Sequence, residues 1–417
     1  MEQVVTTESE NTITKKVTWV DQKCRRIVLS VLAKLDYGQI EIIESNQGQH
    51  QHSFYPEKHD GLSPTAKMYI HDASVFKEFI KGGGIGVAEA FIEGKWSSPD
   101  LTNLIRIFAK SQEQADQIES KTSWLNKLKN AIFHKLNRNN QSGSKKNILA
   151  HYDLGNELYT RFLDPEMMYS SAIYPDEGTS LAEAQIHKLH TICQRLDLSP
   201  SDHLLEIGTG WGGLAIFAAQ HYGCQVTTTT ISDAQYEYAE DRVKQLGLGN
   251  KITLLKKDYR LLEGQYDKVV SVEMIEAVGL EYLPSFFKQC NDRLKPEGKL
   301  LIQSITIADQ RFDYYKNNVD FIQRYIFPGG FLPSITSLSQ HMSKHTNMVI
   351  ESLDDIGLDY AKTLADWRTE FLNSWNELQT FGYDEKFKRL WLYYLAYCEG
   401  AFLERSTSAI HLVARKA

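Results

Sequence analysis

No apolar run in this chain approaches the roughly 20 residues that a membrane-spanning helix needs. The longest, near Lys268–Val272 and Leu300–Ile307, are strand-sized. Cysteine is scarce and scattered: Cys24, Cys193, Cys224, Cys290 and Cys398 form no C-x-x-C pair, and the histidines do not cluster. That spacing gives no support to a zinc site and fits reduced thiols. Positive charge is not in excess, the net charge being −7, which argues against broad nucleic-acid binding while leaving room for a local basic patch. Met1–Lys16 has no apolar stretch behind a positive start, so residues 1–17 read as a disordered tail and not as a signal peptide. Internal repeats and long low-complexity tracts are lacking too. The expectation is a soluble, cytoplasmic protein.

What is present divides by pattern. A chain of 417 residues exceeds what one hydrophobic core normally serves, so two domains are expected. Residues 18–110 read as an N-terminal α+β unit. It has a strand pair over Lys34–Glu44 around Tyr37-Gly38, a strand at Thr65–Ile70, and helices at Ala73–Ile80 and Pro99–Phe108. Between them, Gly82-Gly83-Gly84-Ile85-Gly86 calls for backbone conformations that side chains obstruct. Residues 111–146 form a linker in which Ser123–Asn137 sets Trp124, Leu128, Ile132 and Leu136 beside Lys127, Lys129 and Lys135. This piece is either a linker helix with a solvated charged face or a segment that meets an anionic membrane surface.

From Asn147 onward, strand-like runs alternate with helices. Strands are expected at His203–Ile207, Gln225–Ile231, Lys251–Lys256, Tyr266–Val272 and Lys299–Thr306, with helices at Leu214–His221, Asp233–Gln245 and Leu283–Leu294. This rhythm predicts a mostly parallel sheet with helices on both faces. An excursion over Asp309–Ser334 interrupts it, and a strand at Met348–Leu353, two aromatic-rich helices and a last strand at Ala409–Ala414 follow.

The clearest motif is Leu204-Leu205-Glu206-Ile207-Gly208-Thr209-Gly210-Trp211-Gly212-Gly213, where an apolar strand turns into a helix. Gly208, Gly210 and Gly213 satisfy G-x-G-x-x-G, so a nicotinamide cofactor must be weighed. That reading expects an acid about 20 residues on, at the end of the second strand. Here that strand ends in Thr227-Thr228-Thr229-Thr230. Glu206 instead favours the methyltransferase version of the loop, in which glycines admit the amino-acid part of S-adenosyl-L-methionine and the acid organises its charged end. Thr209 belongs to the same loop. Thr230, Ile231 and Gln235 are candidates to replace the missing acid, and Asp258 and Tyr259 are placed to meet the adenine.

Further blocks accompany the loop: Gly84-Ile85-Gly86-Val87-Ala88-Glu89-Ala90-Phe91, His151-Tyr152-Asp153-Leu154-Gly155-Asn156, Met168-Tyr169-Ser170-Ser171-Ala172, Ser271-Val272-Glu273-Met274-Ile275-Glu276, Arg324-Tyr325-Ile326-Phe327-Pro328 and Tyr393-Tyr394-Leu395-Ala396-Tyr397-Cys398. In this order they resemble the cyclopropane-fatty-acyl-phospholipid synthases and their mycolic-acid relatives, over nearly everything after Val17. The resemblance implies an α/β fold of the class I S-adenosylmethionine-dependent methyltransferases, Rossmann-like with a mostly parallel seven-stranded sheet, behind a smaller N-terminal α+β domain. It implies methylene transfer to the cis double bond of an unsaturated phospholipid acyl chain. A neutral alkene is a poor nucleophile and must be held in line with the sulfonium methyl. The carbocation that follows requires a dry site. A proton must then leave, and in the family a bound bicarbonate ion takes it.

Carried over by position, Glu276 matches the bicarbonate-binding acid, Tyr325 its tyrosine ligand, and Ile305 a backbone contact. Ser171 stands where many members have cysteine, and Gln303 where many have histidine. Both keep hydrogen-bonding capacity but neither titrates near neutrality. Cys398 matches a cysteine often treated as an active-site residue, although the chemistry needs no covalent nucleophile and a free cysteine is commonly a small apolar side chain. Tyr169 and Ser170 are expected to touch S-adenosylmethionine. Trp367, Phe371, Trp375, Trp391, Tyr394 and Phe402 read mainly as core. Peripheral contact with the inner membrane face and a homodimer are compatible with the resemblance. Two other chemistries stay open: methylation of the acyl chain without ring closure, motivated by Ser171 and Gln303, and small-molecule N-methylation, against which the N-terminal unit and the Tyr325 block speak.

Overall fold

A computed structural model of the chain describes residues 18–44, 50–54, 63–110, 139 and 155–417. The expected tail, the Ser123–Asn137 segment with its lysines, and His151-Tyr152-Asp153 lie outside the described residues. The chain divides into two compact units, residues 1–107 and 108–417.

The first unit opens with a helix, Trp19–Leu32, whose start is fixed by a capping box between Thr18 and Asp21. Strands β1 (Gln39–Glu44), β2 (His50–Phe54), β3 (Thr65–Ile70) and β4 (Trp96–Ser97) form a sheet in the order β2-β1-β3-β4. The local strand pair expected over Lys34–Glu44 is one strand only. Gly38, at φ +74, turns the chain into β1, whose partners are the antiparallel β2 and the parallel β3. Arg25 reaches from the first helix to Glu44 at 2.6–2.9 Å, binding the end of the interior strand β1 to the helix.

The helix expected to stop at Ile80 runs on through the glycine run, as Val75–Ile92. Only Gly83 leaves helical geometry, at φ 52 and ψ −138, producing a kink. Gly86 is needed for a different reason: a Cβ there would lie 2.3 Å from the Glu78 carbonyl oxygen, whereas one at Gly82 or Gly84 meets nothing within 4 Å.

The second unit is built on seven strands: β5 (His203–Ile207), β6 (Gln225–Thr230), β7 (Ile252–Lys256), β8 (Tyr266–Val272), β9 (Leu294–Ile307), β10 (Met348–Asp355) and β11 (Thr407–Lys416). Their order is β10-β11-β9-β8-β5-β6-β7. Strands β5 to β9 are mutually parallel, while β11 lies antiparallel between β9 and β10. Alternation along the strands supplies two cores. Leu204, Val270, Leu301 and Val413 pack on one face, and Leu205, Val269, Leu300 and Leu412 on the other. Because β6 and β8 flank β5 on opposite sides, the strand order reverses there, opening a crevice at the carboxyl ends of these strands. The polar β6 stays buried because each threonine has a partner. Thr227 meets His203, Thr228 donates to Glu206, Thr229 donates to the Leu255 carbonyl, and Thr230 donates to Gln235.

Candidate active site

At the mouth of that crevice the loop after β5 takes left-handed backbone at Gly208 (φ +102), Gly210 (φ +54) and Gly212 (φ +91). A Cβ at Gly210 would face open space, whereas one at Gly213 would lie 2.6 Å from the Glu166 carbonyl oxygen. The first of these leaves the loop backbone approachable, and the second locks the helix start against residues 166–168. Glu206 is buried beneath the loop and accepts from Thr228, whose hydroxyl also meets that of Thr209. Burial pushes the Glu206 carboxyl up to about 8, with the Thr228 hydrogen bond opposing the shift. An acid so placed, with no cation paired to it among the described residues, suits a cationic ligand group. Gln235 is held by Thr230 at 3.0 Å, and Ile231 lies half-buried between them in sequence.

Two buried carboxylates follow β8. Glu276 Oε1 accepts from the Ile305 amide at 2.6 Å and from the Ser304 hydroxyl at 3.0 Å, while Oε2 has no partner. Burial, and then the neighbouring Glu273, push Glu276 up to about 8. Glu273 sits at φ 48, in the left-handed region. Its Oε1 accepts from the Ser171 amide at 2.9 Å and the Gln303 side-chain amide at 2.8 Å, and its Oε2 accepts from the Tyr360 hydroxyl at 2.7 Å. Burial raises its pKa, and those three donors oppose the rise.

Gln303 is oriented from behind by His411, directly opposite it in the β9–β11 register, with His411 Nε2 at 2.8 Å from Gln303 Oε1. Burial pushes His411 down to about 3, so its neutral ring donates from Nε2 and the Gln303 amide group faces Glu273.

The segment Tyr169–Ala172 covers these acids. Ser170 accepts from Lys188 Nζ at 2.8 Å; burial of that amine lowers its pKa to about 8, against the raising influence of Glu273 and Asp164. Tyr169 meets the Tyr394 hydroxyl at 2.9 Å, and its ring lies 5.2–6.4 Å from those of Tyr159, Phe162, Trp367 and Phe327. An aromatic wall of this kind excludes water and presents π faces to a cation.

Of the expected residues, the structure therefore gathers Ser171, Gln303, Ile305 and Glu276 around one point, with Tyr169 and Ser170 above. Other expectations need correction. Tyr325 is 37% exposed and packs on Phe321; the tyrosine hydroxyl at the acids is that of Tyr360. Ile305 N is consumed by Glu276 itself. Cys398 has a buried thiol whose pKa is raised by desolvation, and it stays a protonated, apolar side chain. Asp258 has both carboxylate oxygens on the Arg260 guanidinium at 2.6–2.9 Å, and the Tyr259 ring turns to Phe286 at 5.7 Å. Of the donors expected to hold bicarbonate, Ser171 N and the Gln303 amide are taken by Glu273 and Ile305 N by Glu276, and a carboxylate already fills the place of the anion, so these residues do not fit that ion.

Glu273, Tyr360, His411 and Lys188 carry no motif of their own. Glu273 stands in the Ser271–Glu276 block, three residues before Glu276, and a lone histidine in the apolar run Ala409–Ala414 was the only trace of His411.

A parallel-sheet crevice closed by a glycine loop over a buried acid defines a class I S-adenosylmethionine-dependent methyltransferase. Residues 139–412 match the mycolic acid cyclopropane synthetase family, and the chain belongs to it. It is 37% identical to the cyclopropane-fatty-acyl-phospholipid synthase of Escherichia coli K12 over 349 residues, 83% of this chain and 86% of that one. It is 36% identical to the tuberculostearic acid methyltransferase UfaA1 of Mycobacterium tuberculosis over 343 residues, 80% of each chain. The solved mycolic acid cyclopropane synthase CmaA1, complexed with SAH and CTAB, superimposes with a TM-score of 0.60 at 26% identity, covering 65% of this chain and 98% of that one.

Proposed function

We propose that this methyltransferase acts on the cis double bond of an unsaturated phospholipid acyl chain and closes a cyclopropane ring. The observation that carries the reading is the meeting, at one crevice, of the cofactor loop with buried acids under the aromatic wall of Tyr169, Phe162 and Trp367. When bound, S-adenosylmethionine supplies an electrophilic methyl. The loop Glu206–Gly213 would hold its amino-acid end, and Thr230, Ile231 and Gln235 its ribose. The names of the relatives support an acyl substrate. Peripheral contact with a membrane follows from where that substrate resides. Exposed Trp19 (72%), Ile27 and Val31 along the first helix are further support, and no helix among the described residues is long and apolar enough to cross a membrane.

The test is incubation with unsaturated phospholipid vesicles and labelled cofactor. Acyl product heavier by one CH₂, with upfield cyclopropane protons in the NMR spectrum, is expected. The absence of labelled lipid would reject the reading. Glu273 favours a second reading, an open methylated chain, because a fixed base selects which proton leaves; a labelled product heavier by one CH₂, with the label in a branch methyl or exocyclic methylene group and no upfield signals, would establish it.

A further inference from the structure

The Glu273 carboxylate fills a ready-made anion pocket. Three donors from separate parts of the fold, Ser171 N, Gln303 Nε2 and the Tyr360 hydroxyl, converge on its two oxygens at 2.7–2.9 Å. A carboxylate has about four lone-pair sites. Oε1 uses both of its sites, and Oε2 uses one, which leaves a single lone pair on Oε2. The position is also strained, since a glutamate at φ 48 lies in left-handed backbone that L side chains disfavour. Such strain persists only where the surroundings enforce it, and here the Glu273 amide is tied to the Gln303 carbonyl at 2.8 Å.

We propose that Glu273 is the proton acceptor of this enzyme, built into the chain where an external anion would otherwise sit. The assignment rests on the methyl-transfer reading above. The alkene π pair forms the bond to the methyl carbon as the carbon–sulfur bond breaks, its pair staying on sulfur. The carbocation so formed gives one proton to Glu273 Oε2. The pair from that carbon–hydrogen bond closes either the third bond of a ring or a new double bond, and the proton later passes to water. Glu276 carries the other carboxyl of the site and keeps its own proton.

Two readouts on the full chain test this. The first is line broadening of [13C]bicarbonate by the protein with bound cofactor. None is expected with wild type, and broadening is expected with Glu273→Gly, which relieves the backbone and empties the pocket. The second is turnover on unsaturated phospholipid in carbonate-free buffer. Wild type should be indifferent to added bicarbonate. Glu273→Gly should lose ~100-fold or more and regain most of it when bicarbonate is supplied. Glu273→Gln should lose as much and regain nothing, because its amide still occupies the pocket. Cofactor titration of both variants verifies that they fold. Bicarbonate-dependent wild-type turnover, bicarbonate broadening by wild type, or full activity in Glu273→Gln would each overturn the proposal. A protein inactive on every lipid, yet blind to bicarbonate until Glu273 is removed, would sink the lipid reading and leave the pocket assignment standing.

Discussion

Binding of S-adenosylmethionine should pull a proton off Glu206. Burial pushes this carboxyl up to about 8, so at pH 7 about nine-tenths of the free protein carries it neutral. The cofactor's ammonium group favours the ionised form. Each pH unit below the Glu206 value then adds about 1.4 kcal/mol to the work of ionising it, a factor of ten in affinity. The sign follows: a ligand preferring the deprotonated acid binds more tightly as pH rises. Affinity should improve about tenfold from pH 6 to pH 7, and less from pH 7 to pH 8 as Glu206 reaches its midpoint. The ligand's own amine has lost about half of its protons near pH 8, which closes the window.

Calorimetric titration in two buffers of different ionisation enthalpy measures both quantities, and roughly 0.9 proton should be released at pH 7. Lys188 and Glu276 also titrate near 8, so Glu206→Gln is the control that assigns the proton. It should bind more weakly than wild type at pH 8 and show neither slope nor release. Wild-type affinity that is flat from pH 6 to pH 8, or a slope that survives in Glu206→Gln, would refute the reasoning.

Three other outcomes follow from the same geometry. Glu206 and Glu276 have folded values near 8 against an ordinary 4.5. The unfolded chain thus binds fewer protons between those values, and stability without cofactor should fall by up to about 1.4 kcal/mol per pH unit for each acid. Urea midpoints should drop from pH 5.5 to pH 7.5, and a rise would contradict the burial of these acids. Gly86→Ala forces a Cβ to 2.3 Å from the Glu78 carbonyl oxygen and should cost about 1–3 kcal/mol. Gly84→Ala, in open space on the same helix, should gain about 0.5–1 kcal/mol; equal denaturation midpoints for the two variants would deny the close approach. Lys188→Met removes the positive charge that favours ionised Glu273, so the acid limb of the pH–rate profile should move to higher pH. An unmoved limb would separate Lys188 from the proton-transfer step.

The sheet was legible in the residues because the apolar runs of β5, β8 and β9 recur between helical segments, as a parallel sheet covered on both faces requires, while β6, with Val226 alone among threonines, was marked by its place in that rhythm. The Glu206 loop was legible because glycine alone tolerates φ +102 beside a Cβ of Met274. The site was less so. Tyr360 and His411 reach Glu273 and Gln303 across 87 and 108 residues of chain, and no spacing rule spans such distances. Tyr325 drew attention by its block, but its helix, Phe321–Tyr325, leaves it at the surface. The glycine run misled in the opposite sense: read as a break, it is a kinked helix, since one glycine out of helical geometry bends the helix without ending it.

The charge state of the pocket follows from how unequally the two acids are supported. Glu273 has three donors and feels Lys188, whereas Glu276 has two donors and an Oε2 without a partner. Two neighbouring buried carboxyls do not both ionise readily, and the better-supported one takes the charge. The pair therefore takes its first negative charge on Glu273. An uncharged pair would leave nothing to take the carbocation's proton. A single carboxylate among fixed donors attracts the cation as it forms and loses its charge as the product becomes neutral. The same argument explains why His411, held neutral by burial, orients the Gln303 amide without competing for the proton.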